Sequence, residues 1–391
     1  MVTFKGYLRP DGQVGIRNHV VAIANASCGC GVVDRIAQQV PGLIPLPHTY
    51  GCSAPGEHER WRKILVNAMS NPNIYGVVLI GVGCEDQDAR DMAELIRKKS
   101  GKPVFVNIVR YDGGGQKVIE NGVEAAKSLL EEAKKCKRVD VPISKLIFGT
   151  ECGGSDALSG ITANPAIGYV SDWVIKNGGT ALLSETAELI GTEKILADRA
   201  VSKEVADKVY NMIYTEEERL RGLMGSDCAR ALAKGNIEGG LTTIQEKSMG
   251  CAKKGGTTPV VDVIDYADSV GDKKGLIIMD GVGYDPTSVT GLAACGAQVV
   301  MYSTGRGNPL AHPFVPVIKV CSNSQTYEAV GGIDGDMDIN AGAIITEGLS
   351  PEKLGEYCVN YLLNTLNGEE TRPEKLGYGG AFHVYYPTGT L

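Results

Sequence analysis

Residues 146–165 read LIFGTECGGSDALSGITANP, a short apolar run followed by a turn of small and polar residues. The turn carries one thiol, Cys152, flanked by Glu151 and Asp156. In α/β proteins, chemically active residues lie in loops that follow the carboxyl ends of strands. Three other strand-like runs end in the same way: residues 20–24 lead to Cys28 and Cys30, residues 43–46 lead to His48 and Cys52, and residues 76–80 lead to Cys84 and Glu85.

Segments of two kinds alternate along the first 150 residues. Short runs rich in β-branched residues predict strands, and stretches such as residues 57–71, with apolar side chains at helical spacing, predict helices. This alternation is typical of a parallel sheet with helices on its faces. We therefore expect an α/β fold, with a first parallel-sheet domain over residues 1–143 and a second α/β domain over residues 144–391.

Composition restricts the class of protein. The chain has 391 residues, 43% of them hydrophobic, which is enough for at least two hydrophobic cores. Its net charge of −7 argues against a nucleic-acid or anionic-membrane surface, because such surfaces need clustered Lys and Arg. No apolar segment has the length of a signal-peptide core or a membrane helix. We expect a cytoplasmic protein whose eleven cysteines are reduced.

Three strand-end thiols, Cys52, Cys84 and Cys152, predict that their loops converge on one metal site. Thiolates bind zinc, Cu(I) or iron, and three of them leave a fourth coordination position open. The paired CxxC spacing of closed zinc sites is absent from the sequence. An iron site with an open position is a Lewis acid, which removal of a hydroxyl group requires. His48 and Glu85 are further candidates as ligands or proton carriers, and purely structural cysteines are the alternative.

Two other ligand-binding motifs match only in part. Residues 28–34 read CGCGVVD and supply Gly29 and Gly31 of a dinucleotide-binding loop, but Asp34 stands where the third glycine is expected. Residues 334–341, DGDMDINA, alternate three aspartates as part of a calcium loop does, without the full spacing or the distal Glu. A nicotinamide site and a structural cation are therefore alternatives.

Arg306 lies between two glycines in residues 303–308, STGRGN, directly after a predicted strand. A guanidinium in such a loop suits an anionic ligand. Pairing with an acidic loop is the alternative, and the motif alone does not distinguish the two.

Seven blocks of the sequence carry a family resemblance. They are GYLRPDGQVGIRN from Gly6, HTYGCS from His48, GVGCE from Gly81, GTECGGSD from Gly149, GGLTTIQEKSMG from Gly239, STGRGN from Ser303 and DMDINAG from Asp336. Together they resemble the altronate and galactarate dehydratase family, which also includes sulfolactate sulfo-lyase large subunits. The resemblance implies a Rossmann-like domain followed by an unusual α/β domain. It also implies an iron-dependent lyase that acts on a polyhydroxy or sulfonated carboxylic acid.

The resemblance has two departures. Full-length sugar-acid members carry a small β-rich domain ahead of the segment that begins here at Gly6, so the implied partner is a separate small β-rich subunit. Residues 231–236, ALAKGN, replace the NPSPGN of sugar-acid members, and STGRGNPLAHP replaces STGRGTPYG. These replacements leave the small-acid substrate open between a sugar acid and sulfolactate. We also expect a homo-oligomer.

The resemblance implies roles in substrate binding. Arg17 and Arg306 are expected to hold the substrate carboxylate, while Thr162 and Asn164 form hydrogen bonds to its hydroxyl groups. These four positions come from separate blocks of the chain.

The resemblance also implies a mechanism. Lys247 or His48 is expected to remove the proton next to the carboxylate, with Glu85 and Asp156 as further catalytic candidates. Iron, as Fe2+ or a [4Fe-4S] cluster on the three strand-end thiols, is expected to coordinate the departing hydroxyl or sulfite. A non-catalytic scaffold subunit is the alternative of another class.

Overall fold

The computed structural model describes residues 2–52, 56–225, 231–380 and 382–385. Its strands are β1 (Thr3–Leu8), β2 (Val14–Gly15), β3 (His19–Ala24), β4 (Leu43–Leu46), β5 (Ile74–Gly81), β6 (Val104–Ile108), β7 (Val139–Pro142), β8 (Ile147–Cys152), β9 (Thr180–Leu183), β10 (Val260–Ile264), β11 (Gly275–Met279), β12 (Val299–Thr304), β13 (Val317–Cys321) and β14 (Ile339–Asn340). Its α-helices are α1 (Cys30–Ala37), α2 (Glu57–Met69), α3 (Ala89–Ser100), α4 (Gly114–Lys135), α5 (Ala163–Lys176), α6 (Glu193–Ala197), α7 (Lys203–Met224), α8 (Lys234–Glu238), α9 (Ile244–Ala252), α10 (Asp285–Cys295), α11 (Ser324–Ala329), α12 (Ala343–Thr346), α13 (Pro351–Leu366) and α14 (Arg372–Lys375).

The first unit is a four-stranded parallel sheet in the order β4-β3-β5-β6. Its central strands, β3 and β5, are buried along nearly their whole length, as continuous apolar runs in a parallel sheet should be. Helices α1 and α4 cover one face, and α2 and α3 cover the other. Helix α3 begins after Asp88, whose carboxylate accepts the Arg90 N–H, and ends at Gly101 in the left-handed conformation.

The second unit is a seven-stranded sheet in the order β10-β11-β9-β8-β12-β13-β14, with every neighbouring pair parallel. The chain first extends the sheet to one side of β8 and then returns to place β12 on the other side. Ligands of α/β proteins bind outside the carboxyl ends of the strands at such a reversal. The predicted α/β fold class is confirmed.

The two units share one hydrophobic core between α2 and α10. Buried amides join them: Asn71 Nδ2 donates to the carbonyls of Ala293 and Ala297, both at 2.8 Å, and Asn73 Nδ2 donates to that of Gln298 at 2.8 Å. Strand β1 pairs antiparallel with β2 and β7, in a small sheet that the sequence reasoning did not predict. A domain boundary at residues 143–144 stays a prediction.

None of the helices in the described ranges combines the length and the apolar character that a membrane span needs.

Candidate functional site

A buried cluster of two thiols and two carboxylates lies at the carboxyl edge of the seven-stranded sheet. It consists of Cys152, Glu185, Glu188 and Cys251, whose candidate ligand atoms all lie within 4.8 Å of one another. Cys152 ends β8, the two glutamates follow β9, and Cys251 projects from α9. The cluster therefore lies next to the point where the strand order reverses, which is where this class of fold places its ligands.

Hydrogen bonds join the cluster across these elements. The Cys152 N–H donates to Glu185 Oε2 at 3.1 Å, and its Sγ lies 3.1 Å from Glu188 Oε2. Cys251 Sγ lies 4.0 Å from Glu185 Oε2. Each carboxylate thus contacts a sulfur, so these side chains are arranged as one polar group inside the core.

Two lysines neutralise the carboxylates. Lys254 pairs with Glu185, and both side chains are fully buried. Lys247 pairs with Glu188, and these side chains are 10% and 7% exposed. Burial by itself lowers the pKa of Lys247, but Glu188 and Cys152 raise it above the ordinary lysine range. The resting site therefore contains two ammonium groups, of which only that of Lys247 adjoins a cavity.

Burial and neighbouring charges shift the ionisation of the cluster. The pKa of Cys152 is raised well above its ordinary value by the hydrogen bond to Cys251, and then by burial and Glu188. Burial, followed by the effect of Cys152, raises the pKa of Glu185. Burial acts the same way on Glu188, but the Lys247 ammonium outweighs it and holds the pKa of Glu188 below its ordinary value. A cation that binds through the Cys152 sulfur must therefore displace its proton.

Glu185 has a strained backbone. Its φ of +73° lies in the left-handed region, which residues other than Gly, Asn and Asp rarely adopt. Neighbouring contacts hold it there: the Thr186 N–H donates to the carbonyl of Gly281 at 2.9 Å, and the Thr186 hydroxyl donates to Asp280 at 2.7 Å. Such strain occurs preferentially at functional sites, where the surrounding structure compensates for it.

The donor set of the cluster fits a metal ion. Thiolates and carboxylates together suit a borderline divalent ion such as zinc or Fe2+ better than magnesium or calcium. The ammonium groups of Lys247 and Lys254 already contact the carboxylates, so an ion would compete with them for these oxygens. The buried cluster can thus bind a metal ion, and its residues do not by themselves specify which one.

Two cavities open beside the cluster. One, of about 220 Å³, is lined by Asp156, Asn164 and Lys247, and the other, of about 390 Å³, by Asp156, Arg306 and Asn323. Asp156 belongs to both, and Lys247 connects the first cavity to the metal-ligand candidates. Arg306 and Lys247 thus line two neighbouring cavities that share Asp156.

Asp156 joins the loops around these cavities. Its carboxylate accepts hydrogen bonds from the hydroxyls of Ser159 and Ser322, both at 2.7 Å, and from Asn323 Nδ2 at 2.8 Å. A Cβ added at Gly305 would lie 2.2 Å from the Asp156 Cγ, so glycine is needed there. Because three side chains from two loops donate to its carboxylate, Asp156 orders these loops. Its catalytic role stays a prediction.

The three other substrate-site candidates of this unit lie at the same edge. The Thr162 hydroxyl lies 2.9 Å from the carbonyl of Leu158 and 2.7 Å from that of Ser322, so it is engaged by backbone. Asn164 accepts a hydrogen bond from Ser303 through Oδ1 and lines the smaller cavity. Arg306 is exposed and has a long contact, 3.4 Å, with Glu238. Asn164 and Arg306 are thus accessible to a ligand, and Thr162 is not.

Cys52 and Cys84 lie at the carboxyl edge of the other sheet. Both are exposed, in the loops after β4 and β5. Among the described residues, the cluster around Cys152 is the only group of three or more candidate ligands within 4.8 Å of one another. The structure therefore does not bring Cys52 and Cys84 together with Cys152 around one ion, because the thiols belong to two different sheets. Their role as ligands stays a prediction.

Two candidates of the first unit are engaged by the protein itself. His48 Nε2 lies 2.8 Å from the Ala24 carbonyl, and its Nδ1 accepts the Tyr50 N–H, so neither ring nitrogen is available as a base. Glu85 accepts the N–H groups of its own loop, including that of Cys84 at 3.0 Å. Both residues order the backbone in this arrangement.

Arg17 is also structural in this arrangement. It is 8% exposed, pairs with Glu374 at 2.7 Å and donates to the carbonyls of Thr365 and Glu369. Because these bonds saturate its guanidinium, the expectation that it binds the substrate carboxylate is not supported by its position.

The aspartates of residues 334–341 do not form a cation site among the described residues. The Asp338 carboxylate accepts the N–H groups of Lys319 and Arg372 and the hydroxyl of Tyr361. Asp336 accepts the hydroxyl of Tyr378. Protein donors thus occupy the oxygens that a cation would need.

Sequence reasoning missed Glu185, Glu188 and Lys254 as site residues and left Cys251 unassigned. A signal was present, because residues 182–188 read LLSETAE and the apolar run ends directly at the first glutamate. That is the same strand-end position as Cys152. Cys251 could not be found this way, because it lies on α9, a helix far from Cys152 in the sequence.

Comparisons with known proteins define the class. The family model "D-galactarate/Altronate dehydratase, C-terminal" matches residues 143–387, and "D-galactarate dehydratase/Altronate hydrolase, second domain" matches residues 6–134. The chain therefore belongs to the altronate/galactarate dehydratase family, a family of carbon–oxygen lyases, and the predicted resemblance is confirmed.

Individual relatives are similar over almost the whole chain. Altronate dehydratase of Bacillus subtilis is 34% identical over 388 residues, covering 95% of this chain and 76% of the relative. Altronate dehydratase of Escherichia coli is 33% identical, covering 94% and 75%. The (2R)-sulfolactate sulfo-lyase subunit beta of Chromohalobacter salexigens is 32% identical, covering 96% and 95%.

Proposed function

We propose that the chain is an iron-dependent hydro-lyase that removes water from a sugar acid such as altronate and yields a 2-keto-3-deoxy acid. The observation that carries the proposal is the buried cluster of Cys152, Glu185, Glu188 and Cys251, in which Glu188 pairs with Lys247, a residue that lines a cavity. Membership of the dehydratase family supports the reaction class. Iron is proposed because mixed sulfur and oxygen donors suit it and because dehydration needs a Lewis acid.

The residues around the cavities have complementary tasks. Arg306 is an accessible guanidinium that suits a substrate carboxylate, and Asn164 suits a hydroxyl group. Lys247 is proposed as the proton carrier, because its amine lies between the cavity and the cluster. Bound iron would polarise the departing hydroxyl group.

The reaction balances without a further reactant. The C–H bond next to the carboxylate and the C–O bond of the neighbouring carbon break, and a C=C bond forms between the two carbons. The proton and the hydroxyl group leave as water. The resulting enol tautomerises to the 2-keto acid.

A second candidate function is that of a sulfolactate sulfo-lyase large subunit, which releases sulfite and pyruvate. The observation that favours it is similarity, since the (2R)-sulfolactate sulfo-lyase subunit beta is 32% identical over 96% of this chain. In either case we propose a separate small β-rich subunit as the partner, and a homo-oligomer of this chain.

The test is a substrate assay on protein purified without air, loaded with Fe2+ and tested with and without the candidate small subunit. Formation of 2-keto acid from altronate supports the dehydratase, whereas sulfite and pyruvate from sulfolactate support the sulfo-lyase. The variant Lys247→Met should abolish whichever activity is found, and Lys176→Met, at an exposed lysine of α5 that lines neither cavity, is the matched control. No turnover of either acid by the iron-loaded complex contradicts both proposals.

A further inference from the structure

A cavity of about 400 Å³ opens at the edge of the seven-stranded sheet opposite to the candidate active site. Its walls include Lys145, which precedes β8, Lys274, which precedes β11, and Gln298, which precedes β12. Ser70 and Lys99 of the first unit form the facing wall. Because the strands are parallel, this amino edge is separated from the Cys152 cluster by the length of the sheet. We call it the lysine cavity.

The lysines of this cavity donate to neutral oxygens. Lys274 Nζ donates to the Ser144 carbonyl at 2.7 Å, and Lys145 Nζ to the Gly12 carbonyl at 3.3 Å. Lys99 Nζ donates to the Asn67 and Ser269 side chains. Within the described chain, no carboxylate lies close enough to pair with these three ammonium groups, although exposed lysines elsewhere often have such partners.

A fourth lysine lies behind the wall. Lys102 is 3% exposed, and its ammonium donates to the carbonyls of Ser70 and Asn71. It also has no carboxylate partner among the described residues. The backbone of Ser70 thus lies between this buried amine and the lysine cavity, and burial lowers the pKa of Lys102 well below its ordinary value.

Two aspartates moderate this charge without cancelling it. Asp11 and Asp272 line the cavity, and the Asp11 carboxylate accepts the backbone N–H of Gln13 at 3.0 Å and its side-chain amide at 2.8 Å. The three wall lysines face these two carboxylates. The local balance is therefore positive in a chain whose net charge is −7.

Ser70 provides an independent sign of a ligand. It is 3% exposed, lines the cavity, and its hydroxyl has no hydrogen-bond partner within the described residues. A buried hydroxyl without a partner is costly, and native proteins rarely leave one unsatisfied. An acceptor atom in the cavity would satisfy it.

The ionisation of the lysines is consistent with a missing counter-charge. Burial lowers the pKa of Lys99, and burial followed by the ammonium of Lys145 lowers the pKa of Lys274. Both effects oppose the charged form, and an anion in the cavity would reverse them.

We propose that the lysine cavity binds a small dianion, of phosphate or dicarboxylate chemistry, at the seam between the two units. Lys99 lies on the first unit and Lys145 and Lys274 on the second, so one dianion can contact cations of both units. Ser70 donates its unpaired hydroxyl to the same ligand. The site is separate from the proposed dehydratase centre, so its occupation does not depend on turnover.

The test is isothermal titration of the purified chain with inorganic phosphate and with succinate, at an ionic strength fixed with chloride. The double variant Lys145→Gln, Lys274→Gln should bind the preferred anion at least about tenfold more weakly, because it loses two charge-assisted hydrogen bonds. The control Lys127→Gln, Lys176→Gln makes the same charge change at exposed lysines that do not line the cavity, and it should bind like wild type. Ser70→Ala, which keeps every charge, should weaken binding by a smaller factor.

Saturable binding that the first double variant loses and the control retains supports the proposal, and the tighter of the two anions identifies the chemistry. Equal binding by both double variants, or no saturable heat with either anion in wild type, overturns it. Circular dichroism of each variant shows whether a loss of binding reflects a loss of folding.

Discussion

The two parallel sheets present thiols at the same topological position but in opposite environments. At the carboxyl edge of the four-stranded sheet, Cys28, Cys52 and Cys84 are exposed. At that of the seven-stranded sheet, Cys152 is 1% exposed and Cys251 is fully buried, and both contact carboxylates. Strand-end position alone therefore does not make a reactive site.

Burial explains the difference. Helix α9 and the turn at Thr186–Leu189 cover the edge of the seven-stranded sheet. These elements and the residues next to them supply Glu185, Glu188, Lys247 and Lys254. Away from water, charges interact strongly enough to control the protonation of a thiol or a carboxylate. The following experiments test whether only the buried edge performs the chemistry.

The largest effect is expected from removing the buried sulfur. Cys152→Ala should lower kcat/KM by about 100-fold or more and remove bound iron, because it deletes a proposed ligand. The matched control is Cys358→Ala, which removes a fully buried thiol of α13 outside the cluster. Iron analysis and turnover of the anaerobic protein measure both quantities. If Cys52→Ala and Cys84→Ala remove the iron while Cys152→Ala does not, the exposed edge holds the metal.

The next largest effect concerns stability. Lys254→Met should lower the free energy of unfolding by about 3–5 kcal/mol, because it leaves the Glu185 carboxylate without its buried partner. Urea denaturation measures the change. The double variant Lys254→Met, Glu185→Gln removes both charges and should recover part of the loss. The exposed pair of Lys194 and Asp198 is the control, where Lys194→Met should have a much smaller effect because solvent screens an exposed ion pair. Equal losses at the two pairs would contradict the role of burial.

The next prediction tests whether His48, at the carboxyl edge of the four-stranded sheet, has a structural role. Burial lowers its pKa to about 4, against the hydrogen bond to the Ala24 carbonyl. Because the folded pKa is depressed, the stabilisation is complete above the unfolded value near 6.5 and is lost as the pH falls toward 4. Its size is about 3 kcal/mol, so urea unfolding of His48→Gln should depend less on pH than wild type between pH 6.5 and 4.5. If His48→Gln instead lowered kcat as much as Cys152→Ala does, His48 would be catalytic.

The smallest effect is expected at the accessible guanidinium. Arg306→Gln should raise KM by about tenfold with a smaller change in kcat, because one charge-assisted contact to the substrate carboxylate is lost. Steady-state kinetics with the preferred acid separates the two constants. Arg17→Gln should leave KM unchanged and lower stability, since Arg17 pairs with Glu374. If Arg17→Gln raised KM and Arg306→Gln did not, Arg17 would be the residue that binds the substrate carboxylate.

Much of this outcome could be predicted from local patterns. The α/β class follows from alternating apolar runs and amphipathic segments. The strand predicted from the apolar run at residues 146–148 is β8, which continues through Cys152, a residue that the sequence placed in the following turn. Asp156, Asn164 and Arg306 were chosen from loops, and all three line the cavities beside the cluster. These predictions needed only residues close together in the chain.

The sequence by itself determined the fold class, the family and the strand ends that carry polar residues, because periodicity and short motifs are local properties. Only the tertiary structure decided which strand ends meet. It separated Cys84 from Cys152 by assigning them to different sheets, and it brought Glu185 and Cys251 to Cys152 from other elements. It also engaged both nitrogens of His48. Burial, pairing and the resulting pKa shifts depend on contacts between distant segments, and no local pattern specifies those contacts.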